Sequence, residues 1–150
     1  MKKKCVAMML IAIMTASLAG CGSCKDRSGK SVKLDSDHPV SLTIWHYYNG
    51  AQQAMFDTLV KEFNASVGKE EGIHVESYSQ GSVSDLAEAV NSSLNGEVGA
   101  EELPDIFSSY SDTAYAVQQQ DKLADLSVYF TEDELSRYVD SYIQEGYFNQ

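Results

Sequence analysis

The sequence predicts an α/β fold: helices on both sides of a mainly parallel sheet, in three αβα layers. Two observations predict it. Between Val40 and Gln120, short β-rich runs alternate three times with segments whose apolar residues recur at helical spacing. Helix-start and helix-stop residues stand at the joints between the two kinds of segment. Crossovers between such strands should be right-handed, and a ligand should meet the loops at the strands' carboxyl ends.

Val40 to His46 is β-rich and forms the first strand. Ala51 to Ala65 follows as an amphipathic helix with Met55, Phe56, Leu59, Val60 and Phe63 as its apolar stripe; Asp57, Lys61 and Glu62 fall largely off it. Gly72 precedes the alternating strand Ile73 to Tyr78. Ser82-Val83-Ser84-Asp85 sets a hydroxyl and an acid at capping distance and opens a second helix. Val83, Leu86, Val90 and Leu94 mark its buried face, and Gly96 closes it. After the loop EVGAEEL, Pro104 leads into a third strand, Asp105 to Ser109. Asp112 is expected to cap a short helix reaching Gln120, and Leu123 to Leu126 is a connector. Thr131-Glu132-Asp133-Glu134 is a capping box opening a last helix over Glu132 to Glu145. Leu135, Tyr138, Val139, Tyr142 and Ile143 should line one face of it, with both tyrosines in the core, and Gly146 is a stop.

Three segments precede or make up this unit. Residues 1–20 have the layout of a secretory signal: Lys2, Lys3 and Lys4, then an uncharged apolar run from Cys5 to Leu18, then small residues. The run is too short for a permanent span, which needs about 20 apolar residues. Leu18-Ala19-Gly20-Cys21 resembles the bacterial lipobox at all four positions. That resemblance implies cleavage before Cys21 and acylation of its thiol, hence a lipid-anchored protein on the extracytoplasmic face of the cell membrane. Two or more acyl chains hold a protein stably, at about 0.8 kcal/mol per buried CH₂. Residues 21–40 are polar, rich in Ser, Gly and Lys, and are expected to be a flexible tether. Residues 41–150 carry the domain. With Cys5 lost and Cys21 acylated, Cys24 has no partner for an internal disulfide.

Charge narrows the partners. Residues 41–150 carry four basic and 19 acidic side chains, a net of −15. So acidic a body excludes nucleic acid, which demands a basic footprint, and flat contact with anionic lipid. His38, His46 and His74 are scattered without metal-ligand spacing, so no metal is expected. Gly81-Ser82-Val83-Ser84-Asp85 lacks the second glycine of a nucleophile elbow, and there is no P-loop or GxGxxG. No acid is singled out as half of a general acid/base pair. No cofactor and no enzymatic activity are therefore expected. Asn64-Ala65-Ser66 and Asn91-Ser92-Ser93 match the glycan acceptor pattern by chance.

The strand ends carry a different chemistry. His46, Tyr47, Tyr48 and Asn49 end the first strand; Tyr78, Ser79 and Gln80 end the second; Tyr110, Ser111 and Asp112 follow the third. Rings pack against the C–H faces of sugars, and amides, hydroxyls and carboxylates bond sugar hydroxyls directionally. Buried bonds of that kind select, because an unpaired partner is costly.

The stretches LTIWHYYNG, LVKEFNAS, GIHVESYSQGSVSDL, LPDIFSSYSDTAYAV and KLADLSVYF, in this order behind a lipobox, give residues 41–130 a resemblance to a known family. They resemble the amino-terminal lobe of the extracellular solute-binding proteins of bacterial ABC importers, in the sugar and glycerol-phosphate group (family 1). The resemblance implies a type II periplasmic-binding-protein-like fold that closes on its solute by a hinge and delivers it to membrane permease subunits. It implies a carbohydrate ligand, or a phosphorylated polyol held at helix amino termini. It also implies a second lobe, so 41–150 is expected to be a partial amino-terminal lobe of a longer protein. By position, the family's solute contacts transfer to His46, Tyr47, Tyr48 and Asn49, to Gln80 through Val83, and to Tyr110, Ser111 and Asp112. Gly68 to Gly72 and Glu97 to Leu103 are longer than the family's usual connections. An exported glycosidase using Asp112, or a surface adhesion lipoprotein, are the alternatives.

Several of these residues read two ways. Trp45 is a stacking platform or a core residue. His46 is a ligand contact or a structural histidine. Tyr47 and Tyr48 cannot both face one way in an extended chain, so one belongs to the cleft and one to packing. Asn49-Gly50 is turn chemistry, and Ser111-Asp112 is a helix cap that can also hold a ligand.

Overall fold

A computed structural model describes residues 33–148. The signal-like segment, Cys21 and most of the tether lie outside the described residues. Three strands, β1 (Val40–His46), β2 (Ile73–Ser79) and β3 (Ile106–Phe107), form one sheet in the order β2-β1-β3, all parallel. Among the described residues six helices join them: α1 (Gly50–Ala65), α2 (Val67–Glu71), α3 (Val83–Leu94), α4 (Ser111–Gln118), α5 (Glu132–Leu135) and α6 (Asp140–Glu145). The α/β class and the parallel sheet expected from the alternation are present.

Trp45 and His46 are adjacent in β1 and so point to opposite faces of the sheet. Trp45 packs with Leu86 and Val90 of α3 and Val117 of α4, and Phe107, its register partner in β3, lies against the same cluster. Fully burying a Leu or Val contributes about 1.5–3 kcal/mol each, so Leu86 and Val90 fix α3 on this face. The opposite face receives α1: the His46 ring meets the edge of Phe56 at 4.9 Å. Helices therefore lie on both faces.

The stripe expected on α1 is only partly inward. Phe56, Val60 and Phe63 are half-buried, whereas Met55 and Leu59 are exposed, and no residue of α1 is fully buried. One apolar face of a helix covers roughly a third of its circumference, and five consecutive stripe positions are wider than the contact the sheet offers.

Gly68 to Gly72, expected to be a long connection, falls mostly within the short helix α2. It ends at Gly72, where φ is +74° and a Cβ would collide with the Asp35 carbonyl. Glycine is needed there on both counts. The same approach explains why the folded unit starts at Leu34, inside the segment read as a tether. Asp35 organises a turn by accepting the Asp37 N–H at 3.0 Å and pairing with His38 at 3.1 Å.

The third strand is shorter than Asp105–Ser109. Asp105 replaces its first rung with side-chain bonds: its Oδ2 accepts the Thr43 N–H at 2.8 Å and the Thr43 hydroxyl at 3.0 Å. The capping box at Thr131 and Glu134 is present, but the helix it opens stops at Leu135 and a separate α6 begins at Asp140. The single helix over Glu132–Glu145 is thus two. Tyr138, Val139 and Tyr142, expected on a core face, are exposed. Apolar spacing needs a packing partner to hold a helix together, and among the described residues these side chains have no core beneath them.

Candidate functional site at the strand exits

Parallel pairing brings the three carboxyl ends to one edge. The ladder continues past the strands: the Gln80 N–H donates to the His46 carbonyl at 2.8 Å and the Ser108 N–H to the Trp45 carbonyl at 3.0 Å. Side chains then tie the first two exit turns together. Ser79 Oγ donates to the Tyr48 carbonyl at 2.6 Å, and Asn49 Nδ2 donates to the Gly81 carbonyl at 3.3 Å.

Three helices start at this edge: α1 at Gly50, where the N-cap Asn49 makes no side-chain cap bond, and then α3 and α4. At α3, Ser82 Oγ accepts the Asp85 N–H at 3.1 Å, while Asp85 Oδ2 accepts the Ser82 N–H at 2.9 Å. The Ser82 hydroxyl also donates to Asp85 Oδ2 at 2.6 Å, and this bond, ahead of the one from the Ser82 N–H, holds the Asp85 carboxyl below its ordinary value. Gly81, at φ +92°, turns the chain into this cap. At α4 the expectation fails. The N-cap is Tyr110, which offers no side-chain cap, and Asp112 lies inside the first turn, where its Oδ1 accepts the Thr113 N–H at 2.7 Å. A tyrosine hydroxyl is too far from its own backbone to serve as a short acceptor, so α4 has no side-chain bond from its N-cap.

Between the α3 and α4 starts lies a depression of about 190 Å³. Tyr47 walls one side, and Val83 and Ser84 come from the first turn of α3. Ser108, Ser109 and Tyr110 come from the β3 exit, Asp112 and Thr113 from α4, and Leu86 and Ala87 form an apolar floor. The chemistry on offer is two phenol rings, several hydroxyls and one carboxylate, with no basic side chain among the lining residues. Among the described residues no His, Cys, Asp and Glu cluster forms a metal site.

Of the residues expected to contact a solute, Tyr47, Val83, Tyr110 and Asp112 line this depression. Tyr48, Asn49, Gln80 and Ser111 stand at the same edge outside it. The two tyrosine rings meet edge to face at 5.4 Å but otherwise take different neighbours. Tyr47 packs on the core cluster and faces the depression, whereas Tyr48 stacks on His46 at 5.1 Å and meets Phe56 at 5.3 Å.

His46 is only 1% exposed, so it sits behind the rim and presents no atom to solvent. Its Nδ1 accepts the Tyr48 N–H at 3.1 Å. Burial pushes the imidazole below its ordinary value, against a smaller upward pull from the Asp57 carboxylate. Trp45, 4% exposed, is core rather than platform.

Tyr78 belongs to β2, not to the exit turn. Its hydroxyl reaches back along the strand to Glu76 at 2.8 Å, which holds the phenol above its ordinary value. The residues sequence reasoning missed are the small ones, Ser84, Ser108, Ser109 and Thr113. The Ser-Ser pair before Tyr110 was the available signal: small side chains at a strand exit leave room for a ligand.

No protein-family model matches the chain. It is 26% identical over 127 residues to the diacetylchitobiose binding protein DasA of Streptomyces coelicolor, a match covering 85% of this chain and 28% of the relative. Among solved structures, it is similar to the cyclic alpha-maltosyl-1,6-maltose binding protein from Arthrobacter globiformis. That similarity has a TM-score of 0.50 and 28% identity, and covers 65% of this chain and 23% of the other. The chain thus spans about a quarter of the length of each of these relatives. Each is named for the carbohydrate it binds.

Proposed function

We propose that the chain is the amino-terminal lobe of a type II periplasmic-binding-protein-like receptor. In this reading it takes a neutral carbohydrate and hands it to the permease subunits of an ABC importer. Acylated Cys21 anchors it to the extracytoplasmic face of the cell membrane. The observation that carries the proposal is the depression between Tyr47 and Tyr110, ringed by hydroxyls at the shared strand exit. A pyranose stacks its C–H face on such a ring and bonds through its hydroxyls to Ser109, Asp112 and Thr113. Asn49, Gln80 and Ser111 extend the polar rim toward a longer saccharide. The carbohydrate-binding relatives support the same reading.

A neutral ligand suits this site better than a phosphorylated polyol. The α3 amino terminus is already closed by Asp85, and α4 carries Asp112 in its first turn. A phosphate there would meet a carboxylate in the first turn of each helix. A glycosidase needs a pair of carboxylates about 5–9.5 Å apart, and Asp112 is the only acid lining the depression.

Calorimetric titration with diacetylchitobiose, maltose and glycerol 3-phosphate tests the proposal. Saturable binding of a neutral saccharide, with the saccharide recovered intact, is expected. Preference for glycerol 3-phosphate, or hydrolysis of the saccharide, would overturn it.

A further inference from the structure

Among the described residues His46 is the largest buried polar side chain, and no step of binding described above uses it. Its ring lies between Tyr48, stacked at 26°, and the edge of Phe56. The Tyr48 N–H, in the middle of the β1 exit turn, donates to its Nδ1. A neutral imidazole has one donor and one acceptor nitrogen. The acceptor is therefore Nδ1 and the hydrogen is on Nε2, which is buried without a partner. Proton uptake would place a second hydrogen on Nδ1, facing the Tyr48 N–H. Two donors would then oppose each other, and the turn carrying Tyr47 and Tyr48 would lose its inner tie.

We propose that His46 is a positioning residue for the rim, whose Nδ1 latches the β1 exit turn in the binding arrangement and releases it on protonation, so that carbohydrate is lost on acidification. The inference rests on the function proposed above. The groups facing the ring are few. Asp57 of α1 is the carboxylate acting on it, the Tyr48 phenol comes from its own turn, and its β2 register partner Ser79 is uncharged. Burial outweighs Asp57, so the ring titrates below its ordinary 6.5. The sign follows: between that folded value and 6.5 the unfolded chain binds more protons. The neutral ring's contribution is full above the ordinary value and is lost as pH falls through the folded one.

Two readouts on the full chain test this. Ring nitrogen shifts should show Nε2–H at neutral pH. The Tyr48 amide, corrected for intrinsic exchange, should become roughly fivefold to tenfold less protected on acidification, as expected for losing one hydrogen bond. Affinity for diacetylchitobiose should fall in the same window. His46→Asn keeps an acceptor near the Nδ1 position and should make both readouts flat with pH. His46→Phe keeps a ring and should leave the Tyr48 amide unprotected throughout. A proton on Nδ1 at neutral pH, a protected Tyr48 amide in His46→Phe, or saccharide affinity indifferent to pH across the window would each overturn the latch. If the amide behaves as described and no saccharide binds at any pH, the latch stands and the carbohydrate reading fails alone.

Discussion

Ser79 donates its hydroxyl hydrogen to the Tyr48 carbonyl at 2.6 Å, and so joins the exit turn of one strand to the last residue of its neighbour. The bond is half-buried, and the Ser79 oxygen also accepts the Gly81 N–H at 3.3 Å. One hydroxyl thereby sets the position of both turns next to the candidate site. Removing it leaves the Tyr48 carbonyl and the Gly81 amide to find water. Ser79→Ala should cost about 1 kcal/mol and weaken saccharide binding more than Ser41→Ala, a change at the exposed start of β1. Thermal unfolding and calorimetry on both variants check the contrast.

Tyr47 and Tyr110 both line the depression, yet of the two only Tyr47 leans on the core. Truncating the exposed Tyr110 to Ala should leave the melting temperature nearly unchanged and reduce saccharide affinity, by about 1 kcal/mol or more if a ring face is lost from the ligand. Tyr47→Ala should lower both. Equal affinity in Tyr110→Ala and the parent would remove Tyr110 from the site.

Much of this was legible in the sequence because it rests on local chemistry. Val40–His46, the Ser82/Asp85 cap and the Thr131/Glu134 cap are settled by neighbours within a few residues. The shared rim was legible too, since parallel strands must end at one edge. What the sequence hid depends on long-range partners. His46 sits in an exit cluster of polar rings, but the α1 residue Phe56 closes over it. Tyr138 and Tyr142 have perfect helical spacing, but spacing names a face without naming what covers it. Asp112 has the composition of a cap, but Tyr110 reaches the capping position first.

The Asp85 cap makes a pH prediction. Its folded value is depressed, so its stabilisation is present above the ordinary 3.8 and is lost as pH falls through the lower folded value. Carboxyl resonances followed by acid titration should place Asp85 below its ordinary value. Ser82→Ala, which removes the side-chain bond that lowers it most, should bring it back toward 3.8. An unchanged Asp85 titration in that variant would show that the box is not formed in solution.

Asn64 on α1 closes the open edge of the sheet. Its Nδ2 donates to the Val75 carbonyl and its Oδ1 accepts the Val75 N–H, both at 2.8 Å. Val75 is in β2, whose other side pairs with β1, so these backbone groups point away from the sheet. The primary amide completes the ladder as a further strand would. Asn64→Ala should cost about 1–3 kcal/mol, since two half-buried backbone groups lose their partners. It should also expose a pairing edge that favours self-association. Asn64→Asp keeps the acceptor but loses the donor and sets a carboxylate against the Val75 carbonyl, so it should fare no better than Ala. Asn64→Gln reaches too far by one methylene and should rescue only in part. Melting curves rank the three variants, and sedimentation at rising concentration separates loss of stability from edge pairing. If Asn64→Ala melts like the parent and stays monomeric, solvent serves Val75 as well as the amide does.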